Sequence, residues 1–261
     1  MLLNHVETMD LTPLLEDFAQ QGYAELGGVL SEEGALSLAA RAQGLMQSPD
    51  PAPGIFYQHD SPTGLYEDLK FNAGWVGPSP HYRKLEKLEL DPLFLAWIEN
   101  PLFERISKAL LGDHVSLYRA VLWNKAPRAG MPVPWHQDDG RFWGLDRAPS
   151  LQVWTALDDA PEEAGCLEVV PGSHLRGLAS KEGGTISKEL LDDAGAESLR
   201  KLLPARRGDC ILVHNHLWHR TGTNHRASPR RAISVSFLDA ATGCKRRRRA
   251  PRRFRRLFDE S

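Results

Sequence analysis

Apolar residues follow two rhythms along this chain. In the first part they recur every third or fourth position, as in Leu11, Leu14, Leu15 and Phe18, which places them on one face of a helix. Ser31 has an N-cap side chain ahead of Glu32-Glu33 and the apolar positions Leu36, Leu38 and Ala39, so a second helix is expected there. Between the two, Gly22-Tyr23-Ala24-Glu25-Leu26 reads as a short extended piece ended by Gly27-Gly28. Residues 83–112 are also expected to be helical, with Leu93, Phe94, Trp97 and Ile98 in one segment and Phe103, Ile106, Leu110 and Leu111 in the next. Residues 49–82 are rich in Pro, Gly, Asp and aromatics and have no clear period. Loops and short strands are expected, and long loops of this kind often carry function.

From Val115 the rhythm changes. Runs of β-branched and aromatic residues bounded by turn residues predict strands over 115–123, 151–157, 166–170, 209–214 and 232–237. A helical insertion is expected at about 187–203. Several short strands separated by turn signals indicate an all-β sandwich or barrel. No repeat or linker divides the chain, so residues 1–261 are expected to be one domain. Its parts are a helical N-terminal region at about 8–112, a β core at about 115–240 and a basic tail at 245–261.

Composition narrows the class. Hydrophobic residues make up 41% and charged residues 25% of the 261 positions, ordinary values for a soluble globular protein. No apolar run approaches the roughly 18 residues that span a bilayer, and the start lacks the pattern of a secretory leader. Cys166, Cys210 and Cys244 are odd in number and far apart, which argues against a disulfide framework and for a reducing cytoplasm. The net charge of −2 is unevenly spread. Residues 245–261 hold nine Lys/Arg against Asp259 and Glu260, a balance of +7 that leaves −9 on the rest. Such a block is usually solvated and without fixed structure. The same reading includes a tail that docks on the acidic body, and binding of nucleic acid or an anionic surface is the alternative.

The candidate chemistry lies in two clusters. The first is Pro134-Trp135-His136-Gln137-Asp138-Asp139-Gly140, and the second is Gly208-Asp209 through His214-Asn215-His216-Leu217-Trp218-His219, followed by Arg230-Arg231. Two imidazoles and one carboxylate on one face of a metal, with the other positions open to an organic acid and O₂, characterise mononuclear iron(II) oxygenases. His-x-Asp spacing favours Asp138 over Asp139 as the carboxylate. His214, His216 and His219 compete as the distal imidazole. Arg230 and Arg231 compete to bind an organic acid, since alternation along a strand lets only one point inward.

The ordered set resembles the phytanoyl-CoA dioxygenase family, which includes ectoine hydroxylase. It comprises Trp135-His136-Gln137-Asp138, Trp154-Thr155-Ala156-Leu157, Gly165-Cys166-Leu167, Val170-Pro171-Gly172-Ser173-His174, Gly208-Asp209, and His219 with Asn224 and Arg230. The resemblance covers about 115–240 and, more loosely, the N-terminal part. It implies a mainly β fold with flanking helices, a double-stranded β-helix or cupin-like jelly roll. It implies Fe(II), with 2-oxoglutarate and O₂ as co-substrates, and metal ligation by His136, Asp138 and His219. Thr221-Gly222 and Asn224 after His219 select it over His216, and the eleven-residue step selects Arg230 over Arg231. Lys125, Trp154 and Thr221 are the further co-substrate contacts it implies, against ordinary surface and core roles for the lysine and the tryptophan. His174 is expected to be structural.

If Lys125 points into the barrel, period-2 alternation puts Trp123, Val121 and Arg119 on the same face. Arg119, with Arg141 and Trp143 just after the metal motif, is thus a candidate substrate contact. The expected activity is hydroxylation of an unactivated C–H bond in a small molecule, with release of succinate and CO₂. Desaturation or cyclisation at the same centre is the nearest alternative. A non-catalytic jelly roll that binds nucleic acid through its tail is the alternative from another class. The expected partner is a small-molecule substrate, for which the cations leave an anionic group open, rather than a membrane or nucleic acid. The sequence does not specify an oligomeric state.

Overall fold

The computed structural model describes residues 2–4, 9–70, 73–246 and 252–258. Its helices are α1 (Thr12–Gln21), α2 (Glu32–Gln47), α3 (Pro92–Ile98), α4 (Pro101–Leu111), α5 (Lys188–Asp193) and α6 (Ala196–Leu199). The strands in the first half are β1 (Tyr23–Gly28), β2 (Phe56–His59), β3 (Tyr82–Glu86), β4 (Val115–Lys125) and β5 (Val133–Gln137). They are followed by β6 (Leu151–Ala156), β7 (Leu167–Val169), β8 (Gly184–Thr185), β9 (Lys201–Leu203), β10 (Asp209–Val213), β11 (His219–Thr221), β12 (Arg230–Asp239) and β13 (Arg255–Leu257). No helix among the described residues is long and apolar enough to cross a membrane.

The strands form two antiparallel sheets. One runs β1-β10-β6-β12-β4-β3-β2, with β13 also paired to β4, and the other runs β8-β5-β11-β7-β9. The architecture is a mainly β jelly roll, with α1–α4 on the larger sheet and α5 and α6 packed beside β5 of the smaller one. Alternation along β12 shows how the layers are specified. Ile233, Val235 and Phe237 join α2, α3 and α4 residues such as Leu38, Ala42, Trp97 and Phe103 in the main core. Ala232 faces the other way, into a smaller cluster between the sheets with Trp154, Leu167, Val169 and Ile211. Arg230, Ser234 and Ser236 share that inner side by the same period.

The N-terminal expectations hold in outline. Ser31 caps α2 by accepting from the Gly34 amide at 3.0 Å. Leu38 and Ala39 are buried, but Leu36 is exposed. Residues 82–86 form β3 instead of a helix. Its buried Tyr82, Arg83 and Leu85 are extended by pairing with β2 and β4, and tertiary pairing overrides local propensity there. The segment carrying His136, Val133–Gln137, is strand β5.

Of the two forms of the tail reading, solvated or docked, the described residues take the docked one. Residues 247–251 and 259–261 lie outside the described residues, but 252–258 dock. Arg255–Leu257 pair with Val115–Leu117 of β4. Leu257 is 2% exposed, and the Phe258 ring lies 6.3 Å from that of Phe237. Phe254, Leu257 and Phe258 interrupt the arginines, so the segment has an apolar side to bury, which charge density alone conceals.

Candidate metal centre and its cavity

Strand pairing brings the two distant clusters together. His136 on β5 and His219 on β11 are register partners, and their ring centroids are 4.0 Å apart. Asp138 follows the end of β5. Its backbone is fixed by exchange with Asn215: the Asp138 amide donates to Asn215 O at 2.8 Å, and Asn215 Nδ2 donates to Asp138 O at 2.9 Å. Gln137, between them in sequence, points away. Its Nε2 donates to the Gly177 and His216 carbonyls at 2.9 and 2.6 Å, and its Oε1 accepts from the Ala179 amide at 2.7 Å. One ligand atom from each of His136, Asp138 and His219 can be chosen so that all lie within 4.8 Å of one another.

Both imidazoles are set in the same tautomer. His136 Nδ1 is 2.8 Å from Pro134 O, and His219 Nδ1 is 2.8 Å from Leu217 O. A carbonyl only accepts, so each Nδ1 carries hydrogen and each Nε2 keeps its lone pair free. Burial and then the neighbouring His219 push the His136 pKa down to about 4, so it is neutral at pH 7. Burial would raise the Asp138 carboxyl, but Arg119 leads a set of opposing contacts that hold it below the usual carboxylate range. A divalent first-row metal at this site would take Nε2 of each imidazole and the Asp138 carboxylate.

The trio lines a cavity with about 690 Å³ of empty space, the open solvent at its mouth included. Arg230, Lys125, Trp154 and Thr221 line the same cavity. Arg230 is 2% exposed, and its Nη2 donates to Gly165 O at 3.0 Å. Gly165 presents that carbonyl from a positive φ of 71°, where a Cβ would lie 2.3 Å from Gly222 O. The Arg230 Nε and the Thr221 hydroxyl are buried with no partner among the described residues. Burial pushes the Arg230 pKa down to about 10, which leaves it charged at neutral pH. Lys125 Nζ donates to Met131 O at 2.5 Å, and burial, followed by Arg230 and Arg83, lowers its pKa well below the usual lysine value. Buried donors without acceptors are costly, and a carboxylate of a bound dicarboxylic acid would satisfy Arg230 and Thr221 together.

The alternative residues pair elsewhere. Arg231 grips Asp158 through Nε and Nη2 at 2.7 and 2.8 Å and donates from Nη1 to Ala39 O at 2.8 Å. His216 Nε2 and Asp139 Oδ2 meet at 2.7 Å. His174 Nε2 lies 3.2 Å from Ala19 O, which ties it to α1.

None of the three candidate substrate contacts lines the cavity. Arg141 is exposed and paired with Glu182 at 3.0 Å over a separate surface groove. Trp143 is 1% exposed and stacked on Tyr118. Arg119 points toward the centre as alternation predicts, but its Nη2 bonds Asp138 Oδ1 at 3.1 Å. A largely buried guanidinium takes the nearest carboxylate.

The sequence reading overlooked Gln152, Asp60 and Arg83 as cavity residues. Gln152 was accessible to it, because it stands two positions before Trp154 on the same side of β6. Asp60 lies in the stretch without a period. Both its carboxylate oxygens are buried and without a partner among the described residues, and burial raises its pKa against the opposing pull of Arg83 and Lys125.

With this geometry in place, comparison with known proteins gives a consistent placement. The family model described as phytanoyl-CoA dioxygenase matches residues 18–232. The phytanoyl-CoA dioxygenase domain-containing protein 1 of Mus musculus is 31% identical over 158 residues, which span 58% of this chain and 54% of that protein. Among solved structures, the epimerase SnoN in complex with Fe3+, alpha ketoglutarate and nogalamycin RO superposes with a TM-score of 0.71 at 22% identity, covering 90% of this chain and 86% of that one. EctD from S. alaskensis, solved with 2-oxoglutarate and 5-hydroxyectoine, gives a TM-score of 0.73 at 18% identity over 97% and 86% of the two chains. These likenesses establish the jelly-roll fold.

Proposed function

This chain belongs to the phytanoyl-CoA dioxygenase family, and from that premise we propose that it is an iron(II)- and 2-oxoglutarate-dependent oxygenase that hydroxylates an unactivated C–H bond of a small molecule. The observation that carries the reading is one cavity that joins His136, Asp138 and His219 to the unpartnered donors of Arg230 and Thr221. His136 and His219 would hold the metal through Nε2 and Asp138 through its carboxylate. Bound there with 2-oxoglutarate and O₂, iron(II) supplies oxidative decarboxylation to succinate and CO₂ together with the oxidising power to break a C–H bond.

The protein's part is to bind, orient and exclude. Arg230 receives the distal carboxylate of 2-oxoglutarate, with Thr221 donating a second hydrogen bond and Lys125 lining the same cavity. A guanidinium suits this role because it offers a fork of donors and stays charged when buried. Trp154, 6.0 Å from Arg230 by its ring centroid, gives the acid an apolar wall and keeps water off the pair. The Pro134 and Leu217 carbonyls hold the two imidazoles in the ligating tautomer through every turnover.

Asp138 also bears on the outcome. Halogenating relatives carry Gly or Ala at this point of the motif, which leaves a site for chloride, and an aspartate favours oxygen transfer. The epimerase among the structural neighbours supports a second outcome, oxidative rearrangement at the same centre, chosen by how the substrate is held. The unpartnered Asp60 carboxylate suits a hydroxyl or ammonium group on that substrate. The free cysteines fit a reducing, cytoplasmic setting. The test is a screen of polar small molecules for substrate-dependent succinate release with iron(II) and ascorbate, followed by mass spectrometry of the product. A product heavier by one oxygen supports hydroxylation. A product of unchanged mass supports rearrangement, and absence of 2-oxoglutarate turnover with every candidate and in uncoupled assays counts against the reading.

A further inference from the structure

The Asp138 carboxylate is held at both oxygens. Arg119 Nη2 donates to Oδ1 at 3.1 Å and Gln152 Nε2 donates to Oδ2 at 2.8 Å. Gln152 is locked, because a carboxylate only accepts and so must face the amide NH₂. Its Oε1 then takes the hydroxyls of Ser234 and Ser236 at 3.2 and 3.0 Å.

Arg119 is locked by a different device. Its guanidinium lies 4.4 Å from the Trp143 ring centroid, and Trp143 stacks on Tyr118 at 4.3 Å with an interplanar angle of 11°. Tyr118 is the extra residue of a β-bulge: Ser236 pairs with Arg119 and Phe237 with Leu117, which leaves Tyr118 unopposed. A bulge re-aims the side chains beside it. Leu117 faces the main core, Tyr118 meets Trp143, and Arg119 reaches Asp138. The C-terminal segment also packs against Tyr118. The Arg252 guanidinium is 4.9 Å from the Tyr118 ring centroid and donates to Tyr118 O, and the Phe254 ring is 5.8 Å away. β13 fixes this segment along Val115–Leu117. A continuous stack therefore runs from the C-terminal segment through Tyr118, Trp143 and Arg119 to Asp138.

We propose that Arg119 is a positioning residue for the metal-binding carboxylate and that residues 252–258 are the strap that holds it in place, so that iron affinity depends on a segment remote from the cavity. The inference rests on Asp138 being a metal ligand. Without Arg119, Oδ1 loses its donor and the carboxylate is free to turn about its last bond. Loss of a group that orients a ligand typically weakens metal binding about 10–100-fold.

The experiment titrates iron(II) anaerobically into the full-length apo protein by calorimetry and records the visible charge-transfer absorption when 2-oxoglutarate is added. Arg119→Met should weaken iron binding by about 10–100-fold and shift the absorption. Arg119→Lys should recover part of both. The double variant Arg252→Ala/Phe254→Ala should move both readouts in the same direction by a smaller factor while the apo protein still melts cooperatively. An affinity within twofold of the parent in Arg119→Met overturns the positioning role. A loss in Arg119→Met with none in the double variant overturns the strap. A parent protein that takes up no iron overturns the metal-centre reading and this inference with it, which distinguishes the two failures.

Discussion

Arg230 and Arg231 are adjacent on β12 and both buried, at 2% and 9% exposure, yet they meet opposite surroundings. On the helix side, Arg231 is closed on Asp158 and the Ala39 carbonyl. On the cavity side, Arg230 makes one bond to Gly165 O and keeps an unpartnered Nε. The same contrast extends across the sheet. The outer face carries a close-packed apolar core, whereas the cavity holds the Thr221 hydroxyl and the Asp60 carboxylate, both without partners among the described residues. Arg231, saturated, serves the fold, and Arg230 and Thr221, left open in the cavity, mark the place of a ligand.

The largest expected effect separates the two arginines. Arg231→Ala should cost about 3–5 kcal/mol of stability, because it strands Asp158 as a buried charge, with 2-oxoglutarate affinity unchanged. Arg230→Ala should do the reverse, losing about 2–5 kcal/mol of 2-oxoglutarate binding with little change in stability. Denaturant melts and calorimetric titration of both variants measure the split. Loss of the same property in both would break the comparison.

A smaller effect comes from His214, a half-buried group kept neutral. Burial, then His174 and His216, push its pKa down to about 3 against a weaker pull from Asp139. Its Nδ1 accepts from the His216 amide at 3.0 Å, and the Phe18 ring lies 5.9 Å away. The folded state resists a proton that the unfolded chain accepts below about 6.5. Stability contributed by this site is therefore full above pH 6.5 and falls as pH drops toward 3, by about 2 kcal/mol at pH 5. His214→Asn, which keeps an acceptor, should flatten that part of the pH profile. Thermal melts from pH 7.5 to 5 check it, and parallel profiles for parent and variant would contradict it.

The smallest effect is at Thr221. Thr221→Val removes a buried hydroxyl with no partner among the described residues, so the apo protein should be as stable as the parent or slightly more so. Binding of 2-oxoglutarate should weaken by about 1 kcal/mol, the usual worth of one hydrogen bond. A clear loss of apo stability would assign the hydroxyl to the fold.

The parts legible in the sequence were those where chemistry and period coincide. The β-branched runs gave β4, β6, β10 and β12, and alternation from Lys125 placed Trp123 and Arg119 on the inner face. Charge density misled at the C-terminus because Phe254, Leu257 and Phe258 matter more than the arginines around them. Residues Tyr82–Glu86 do not form an extended strand on propensity alone and need β2 and β4 to pair with. Gln152 was passed over because an amide in an apolar strand carries no chemistry of its own, and its role appears only once Asp138 is beside it. Trp143 sits next to the metal motif in sequence, but its partner is Tyr118, and only the bulge in β4 brings the two rings together.

The central claim is that His136, Asp138 and His219 hold the iron. Anaerobic calorimetric titration of iron(II) into the parent, His136→Ala, Asp138→Ala, His219→Ala and His216→Gln tests it directly. The account predicts one equivalent bound by the parent and by His216→Gln, with binding lost or weakened at least about 100-fold in the other three, as removal of a direct ligand should exceed loss of an orienting group. Retention of full affinity in His219→Ala together with its loss in His216→Gln would contradict it.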